Sequence, residues 1–238
     1  MHVICFDIDG TLVASAGFDG ELYGETMRDV LGVELRSDLT QYKNISDAGI
    51  LAEILESVSD VGERARLARE VQATFVDRTK QYIADNPKLI REVPGAVALV
   101  EVLRKSPNVR VCIATGGWAE TAALKLRAIG LDPRSLAMAA SSDALRRTEI
   151  MRLAESWATK EKVTRRTYFG DGVWDKKAAA ELGYDFVAVG DGVGHQVAFP
   201  DLQDIEGIVR QLGVQQIAQV RPGPIGPPPD AAKLRRLA

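Results

Sequence analysis

Hydrophobic residues recur along this chain with two different periods, and the change from one to the other falls near Pro94-Gly95. Residues 3–6, Val-Ile-Cys-Phe, form an unbroken apolar run, the pattern of a strand buried on both faces of a parallel sheet. Residues 14–86 contain no second run of that quality and read as mostly helical. Ile50, Leu51, Ile54, Leu55 and Val58 recur at helical spacing behind a candidate N-cap, Ser46, and predict a helix over 47–57. Leu67, Val71, Phe75 and Ile83 predict another over 62–84, which Asn86-Pro87 ends. Such stripes must bury one another, so 15–90 is expected to be a small helical domain inserted after the first strand.

Beyond Pro94-Gly95 the pattern alternates. Helices are expected over 96–105, 119–129, 148–157 and 176–182, and strands over 109–114, 136–140, 167–169 and 186–189. Alternation of this kind predicts βα units in a doubly wound, parallel, Rossmann-like α/β sheet. The first strand must join that sheet, because alone it has nowhere to bury its two faces. The core domain is therefore expected over 1–14 and 91–214, with hinges at 14–18 and 88–94. Residues 215–238, which include the prolines of 221–229, are expected to form an extended or disordered tail.

Composition narrows the partners. With 46% hydrophobic and 26% charged residues the chain is an ordinary globular one, not a disordered or fibrous one. A net charge of −3 supplies no broad positive field for nucleic acid, so a small anionic ligand would need local cations or a metal. The two cysteines, Cys5 and Cys112, lie inside apolar runs and suit reduced core thiols in a cytoplasmic protein. Asp7 and Asp9 interrupt any apolar opening of the signal-peptide kind, and no apolar run is long enough to cross a membrane.

The chemistry gathers at strand ends, which in open α/β sheets line the ligand crevice. The first strand finishes in Phe6-Asp7-Ile8-Asp9-Gly10-Thr11. The second finishes in Ala114-Thr115-Gly116-Gly117, a hydroxyl followed by amides that can approach an oxyanion closely. A later strand finishes in Phe169-Gly170-Asp171-Gly172-Val173-Trp174-Asp175. Between them Arg146 and Arg147 precede a helix, with Arg147 in better register with Ile150. Taken singly, each has a structural reading: a solvated turn for Asp7 and Asp9, a helix cap for Thr115, surface charges for the arginines, and a favourable N-terminal acid for Asp175. Their order and strand-end setting favour a site.

These four pieces resemble the motifs of the haloacid dehalogenase-like hydrolases, whose phosphatase members have Asp-x-Asp-Gly-Thr, then Thr or Ser at a strand end, then a basic residue, then Gly-Asp-x-x-x-Asp. The helical insertion falls where that family carries one type of cap. The basic position, most often Lys in the family, is Arg here; arginine keeps the charge and can bind phosphate bidentately. The resemblance implies a Mg²⁺-dependent phosphomonoester hydrolase acting on a small phosphorylated metabolite. Asp7 would be the nucleophile and Asp9 the acid and base. Asp7, the Asp9 carbonyl, Asp171 and Asp175 would serve the metal, and Thr115, Gly116 and Arg147 the phosphate. Tyr42-Lys43-Asn44-Ile45-Ser46 resembles the cap loop of β-phosphoglucomutases and makes Lys43 a candidate substrate contact. A further basic residue expected there is Asp47 instead.

A phosphoglucomutase-like phosphotransferase and a noncatalytic binding protein of the same fold are the alternatives. A dehalogenase is disfavoured, since that branch lacks the carboxylate that Asp9 supplies. Gly190-Asp191-Gly192-Val193-Gly194 lacks the third spaced glycine of a dinucleotide loop and reads as a turn, with His195 on the surface. Oligomeric state is not legible in the sequence.

Overall fold

The computed structural model describes residues 1–15 and 17–215. Six parallel strands form one sheet in the order β3-β2-β1-β4-β5-β6. They are β1 (His2–Phe6), β2 (Val109–Ala114), β3 (Ala137–Ala139), β4 (Arg165–Gly170), β5 (Asp185–Val189) and β6 (Ala198–Phe199). The expected first strand thus lies at the centre, between β2 and β4. Its alternate residues feed two cores: Ile4 and Phe6 join one cluster, Val3 and Cys5 the other. That burial on both faces is why its apolar run is unbroken.

Helices cover both faces. On one side lie α4 (Ala96–Lys105), α5 (Ala119–Ala128) and α8 (Ile205–Leu212); on the other lie α6 (Arg147–Ala158) and α7 (Val173–Leu182). The sheet and its helices are the Rossmann-like α/β architecture that the alternating pattern predicts. The sequence reading passed over two short elements: β6 is two residues, too few for a periodicity to register, whereas α8 carries Ile205, Ile208, Val209 and Leu212 at the helical spacing that marks it. Cys5 and Cys112 are buried free thiols. No described helix is long and apolar enough to cross a membrane.

Between β1 and α4 the chain forms α1 (Phe18–Leu31), α2 (Asp47–Ile54) and α3 (Val61–Asp85). Ser46 caps α2 by accepting from the Gly49 amide at 3.1 Å, and Asp60 caps α3 by accepting from Glu63 at 2.6 Å. Tyr23, Met27, Ile50, Leu51, Leu55, Val71 and Phe75 bury one another in a cluster of their own. One member comes from outside the insertion: Trp118, just ahead of α5, packs its ring at a tilt, 5.7 Å from Tyr23 and 5.5 Å from Phe75. The two connections run side by side, with the Ala14 amide donating to Arg91 and the Val93 amide to Leu12, each at 2.9 Å. Residues 216–238, with the proline-rich stretch, lie outside the described residues.

Candidate active site

Strand register assembles the site. Phe6 of β1 is level with Ile113 of β2 and Phe169 of β4, so all three strands end together. Asp7, Thr115 and Asp171, within two residues of those positions, therefore converge on one edge of the sheet. They line a cavity of about 760 Å³ with Asp9, Gly116 and Arg147 on the core side and Asp19, Tyr23, Ile45, Asp47 and Ile50 on the side of the helical insertion.

Asp7 is buried, and its Oδ1 accepts no hydrogen bond from the described residues. One oxygen from each of Asp7, Asp171 and Asp175 lies within 4.8 Å of the others. Burial first, then the charge of Asp175, pushes the Asp7 carboxyl up to about 7, with Arg147 opposing. Burial and then Asp7 push Asp171 to about 7. Asp175 rises to about 6, again mainly through burial, although Arg147 pulls the other way. Gly10 makes room for this cluster: it has φ +72, and a β-carbon there would overlap the Asp171 carboxylate.

Arg147 is the cation within the group. Its Nη1 lies 3.0 Å from Asp175 and 3.5 Å from Asp7, while Nη2 donates to the Ile45 carbonyl at 3.3 Å. Its Nε is buried without an acceptor. A side chain at residue 116 would occupy the guanidinium's space, so Gly116 is needed where the two segments meet. Arg146 turns outward and pairs with Glu181 at 3.1 Å. The choice is set by α6, which begins at Arg147 with Arg146 as its N-cap, so successive side chains leave in different directions. Thr115 is buried, and its hydroxyl accepts from the Gly117 amide at 3.1 Å. Asp175 stands in the first turn of α7, where its Oδ2 accepts from the Gly172 amide at 3.1 Å.

Lys43 does not join these residues. Its Nζ pairs with Glu56 at 3.0 Å, its amide donates to Glu53 at 2.8 Å, and it lines a separate cavity of about 290 Å³. The segment is held by its neighbour Tyr42, which buries its ring and leaves Lys43 facing solvent. Trp174 lines both cavities. His195 is half-buried, edge-on to Phe186 at 5.1 Å.

Two participants escaped the sequence reading. Tyr168 is fully buried, donates its hydroxyl to the Ala114 carbonyl at 2.8 Å and accepts from Arg147 at 3.5 Å. Lys125 is fully buried, with its Nζ 2.7 and 2.8 Å from the two oxygens of Asp9 and 2.6 Å from Asp19. Burial disfavours this ammonium, yet Asp19 and Asp9 hold its pKa above the ordinary lysine value. Its signal was a lysine on the buried face of α5, four residues after Thr121 and one before Leu126.

A model of the haloacid dehalogenase-like hydrolases matches residues 1–183, and the chain belongs to that family of enzymes. Curated protein sequences contain no match to it. Several solved structures share the fold. A hydrolase from Pseudomonas syringae is 22% identical with TM-score 0.67, the alignment covering 89% of this chain and 99% of that one. CbbY from Rhodobacter sphaeroides, solved in complex with phosphate, is 19% identical with TM-score 0.63, over 85% and 95% of the two chains. A β-phosphoglucomutase from Clostridium difficile is 16% identical with TM-score 0.67, over 89% and 96%.

The donor set suits Mg²⁺. Three carboxylates with raised pKa values, one carrying an orphaned buried oxygen, call for a hard cation, and all the donors are oxygen.

Proposed function

We propose that this enzyme is a Mg²⁺-dependent phosphomonoester hydrolase that works through an aspartyl-phosphate on Asp7. The observation that carries the reading is the pairing of an unbonded Asp7 oxygen with Arg147, whose Nε is itself a buried donor without an acceptor. Such an arrangement matches a phosphoryl group, which brings an electrophilic phosphorus to the first and acceptor oxygens to the second.

Asp7, Asp171, the Asp9 carbonyl and Asp175 are the groups that would hold the metal. When bound, Mg²⁺ screens the repulsion between a dianionic phosphate and a carboxylate. The Asp7 carboxylate attacks phosphorus, and the Thr115 hydroxyl, the Gly116 amide and the Arg147 guanidinium bind the equatorial oxygens as charge redistributes. Asp175 and Tyr168 keep that guanidinium in place. Asp9, which lines the cavity, gives its proton to the leaving alcohol oxygen. It then takes one from the water that attacks the phosphoenzyme, releasing phosphate and regenerating Asp7.

The helical insertion acts as a cap. Tyr23, Ile45 and Ile50 form part of the cavity wall, which limits entry to small phosphorylated metabolites and keeps bulk water away from the phosphoenzyme. The −3 net charge speaks against nucleic acid, and the free, buried core cysteines suit a cytoplasmic enzyme. For phosphoglucomutase-like transfer, Lys43 outside the cavity supplies no second phosphate contact.

The test is a panel of sugar phosphates, phosphoglycolate and nucleotides incubated with the purified protein and Mg²⁺, reading released phosphate. Release from at least one ester, lost on chelation, is the expected result. Binding without release across the panel would favour a noncatalytic protein of the same fold.

A further inference from the structure

Lys125 has no access to water, so every hydrogen its ammonium donates must find a protein acceptor. It meets anions on two different layers of the molecule. Asp9 follows β1 in the sheet layer and offers both oxygens, at 2.7 and 2.8 Å. Asp19 lies in the first turn of α1, in the helical insertion, and its Oδ1 forms an ion pair with the same ammonium at 2.6 Å without meeting hydrogen-bond geometry. The lysine itself stands on α5, packed among Thr121, Ala122 and Leu126. A buried ionic triad adds little stability over apolar packing of equal volume, because two carboxylates and an ammonium have all lost hydration. What it does supply is direction. A carboxylate held through both oxygens by one ammonium loses much of its freedom to rotate, and Asp9, on a loop and only partly buried, would otherwise keep that freedom.

On the hydrolase reading above, we propose that Lys125 is a positioning residue: it orients Asp9 toward the leaving-group oxygen, and by binding Asp19 with the same ammonium it makes that orientation depend on α1 being seated over the sheet. The step served is the proton transfer already described, from Asp9 to the departing alkoxide oxygen as the phosphorus–oxygen bond breaks. Lys125 donates no proton and touches no substrate. Asp19 ties the helical insertion to the same cation, so withdrawal of α1 removes one of the two anions that hold the ammonium in place.

The measurement is the dependence of kcat/KM on the leaving group. An alkyl phosphate needs its leaving oxygen protonated; p-nitrophenyl phosphate does not, since its phenolate departs readily. Lys125→Met, Asp9→Asn and the double variant Lys125→Met/Asp19→Asn, which removes one charge of each sign and so relieves the folding problem, are compared on both esters. We expect each to lose on the order of a hundredfold on the alkyl ester, and at least about tenfold less on the aryl ester. Lys125→Met is expected to add nothing to Asp9→Asn. Equal losses on the two esters, or losses that multiply when Lys125 and Asp9 are both changed, overturn the proposal.

Wild-type protein that hydrolyses neither ester would instead overturn the hydrolase reading. The clamp is then judged by urea unfolding: Asp9→Asn/Lys125→Met no less stable than Lys125→Met alone supports it, and additive shifts in midpoint overturn it.

Discussion

The Arg147 guanidinium stands 3.0 Å from the Asp175 carboxylate, so the one cation among the described residues that pairs with Asp7 is itself held by a second acid on another helix. Removing it takes away the phosphate donor of the proposed mechanism and leaves two buried carboxylates less compensated. Arg147→Ala should therefore cost about 2 to 4 kcal/mol of transition-state stabilisation, on the order of a hundredfold in kcat/KM or more. Arg147→Lys should recover part of that, since an ammonium restores the charge without the planar fork. Arg146→Ala, at an exposed pair with Glu181, should be close to neutral. Steady-state kinetics on the three variants check the assignment, and a large loss at Arg146 would reverse it.

Asp7→Asn keeps the side chain's shape and removes the charge with which Asp7 attacks phosphorus in the proposed mechanism. Phosphate release should vanish while circular dichroism stays native. Without metal at alkaline pH the variant should melt higher than wild type, because it no longer buries a carboxylate whose pKa is raised to about 7. Undiminished turnover by folded Asp7→Asn protein would rule out the covalent route.

The raised pKa values also predict how pH acts on the metal-free protein. Asp7 and Asp171 titrate near 7 and Asp175 near 6 in the folded state, against an ordinary value of 3.8. Between those limits the folded state binds more protons than the unfolded one, so stability falls as pH rises, and the loss is complete above about 7. Mg²⁺ needs the ionised carboxylates, so its binding should release protons near neutrality and restore the lost stability. Melting temperatures with chelator should decline from about pH 5 to about pH 8 and recover with Mg²⁺, and titration calorimetry should give binding heats that depend on the buffer's ionisation enthalpy. Melting curves and heats insensitive to pH and buffer would contradict the carboxylate site.

Trp118 belongs to the segment after β2 yet completes the core of the inserted helices, its ring packed against Tyr23 and Phe75. Trp118→Ala should cost about 3 to 5 kcal/mol in urea unfolding. It should also speed limited proteolysis across the connections to α1 and α4, because the insertion loses one of its apolar holds on the sheet layer. Trp118→Phe should show a smaller effect on both. Proteolysis at the wild-type rate in a destabilised Trp118→Ala would mean that other contacts seat these helices.

Much was legible in the sequence because strands announce themselves locally. Val3, Ile4, Cys5 and Phe6 could be read as doubly buried from their apolar run alone, and alternating helix and strand patterns implied a parallel sheet before any pairing was known. Asp7, Thr115 and Asp171 stood out because each interrupts or follows an apolar run, and parallel register then forces strand ends to one edge. Helical side chains carry no such local mark. Whether Arg146 or Arg147 enters the cavity depends on where α6 begins, and whether Lys43 faces substrate or Glu56 depends on how Tyr42 packs. Lys125 and Tyr168 lie on regular elements beside apolar neighbours, and their partners Asp9, Asp19 and Arg147 are distant in sequence. Only tertiary packing decided these, because a polar group is committed to a role by whichever partners remain near it once water has been excluded.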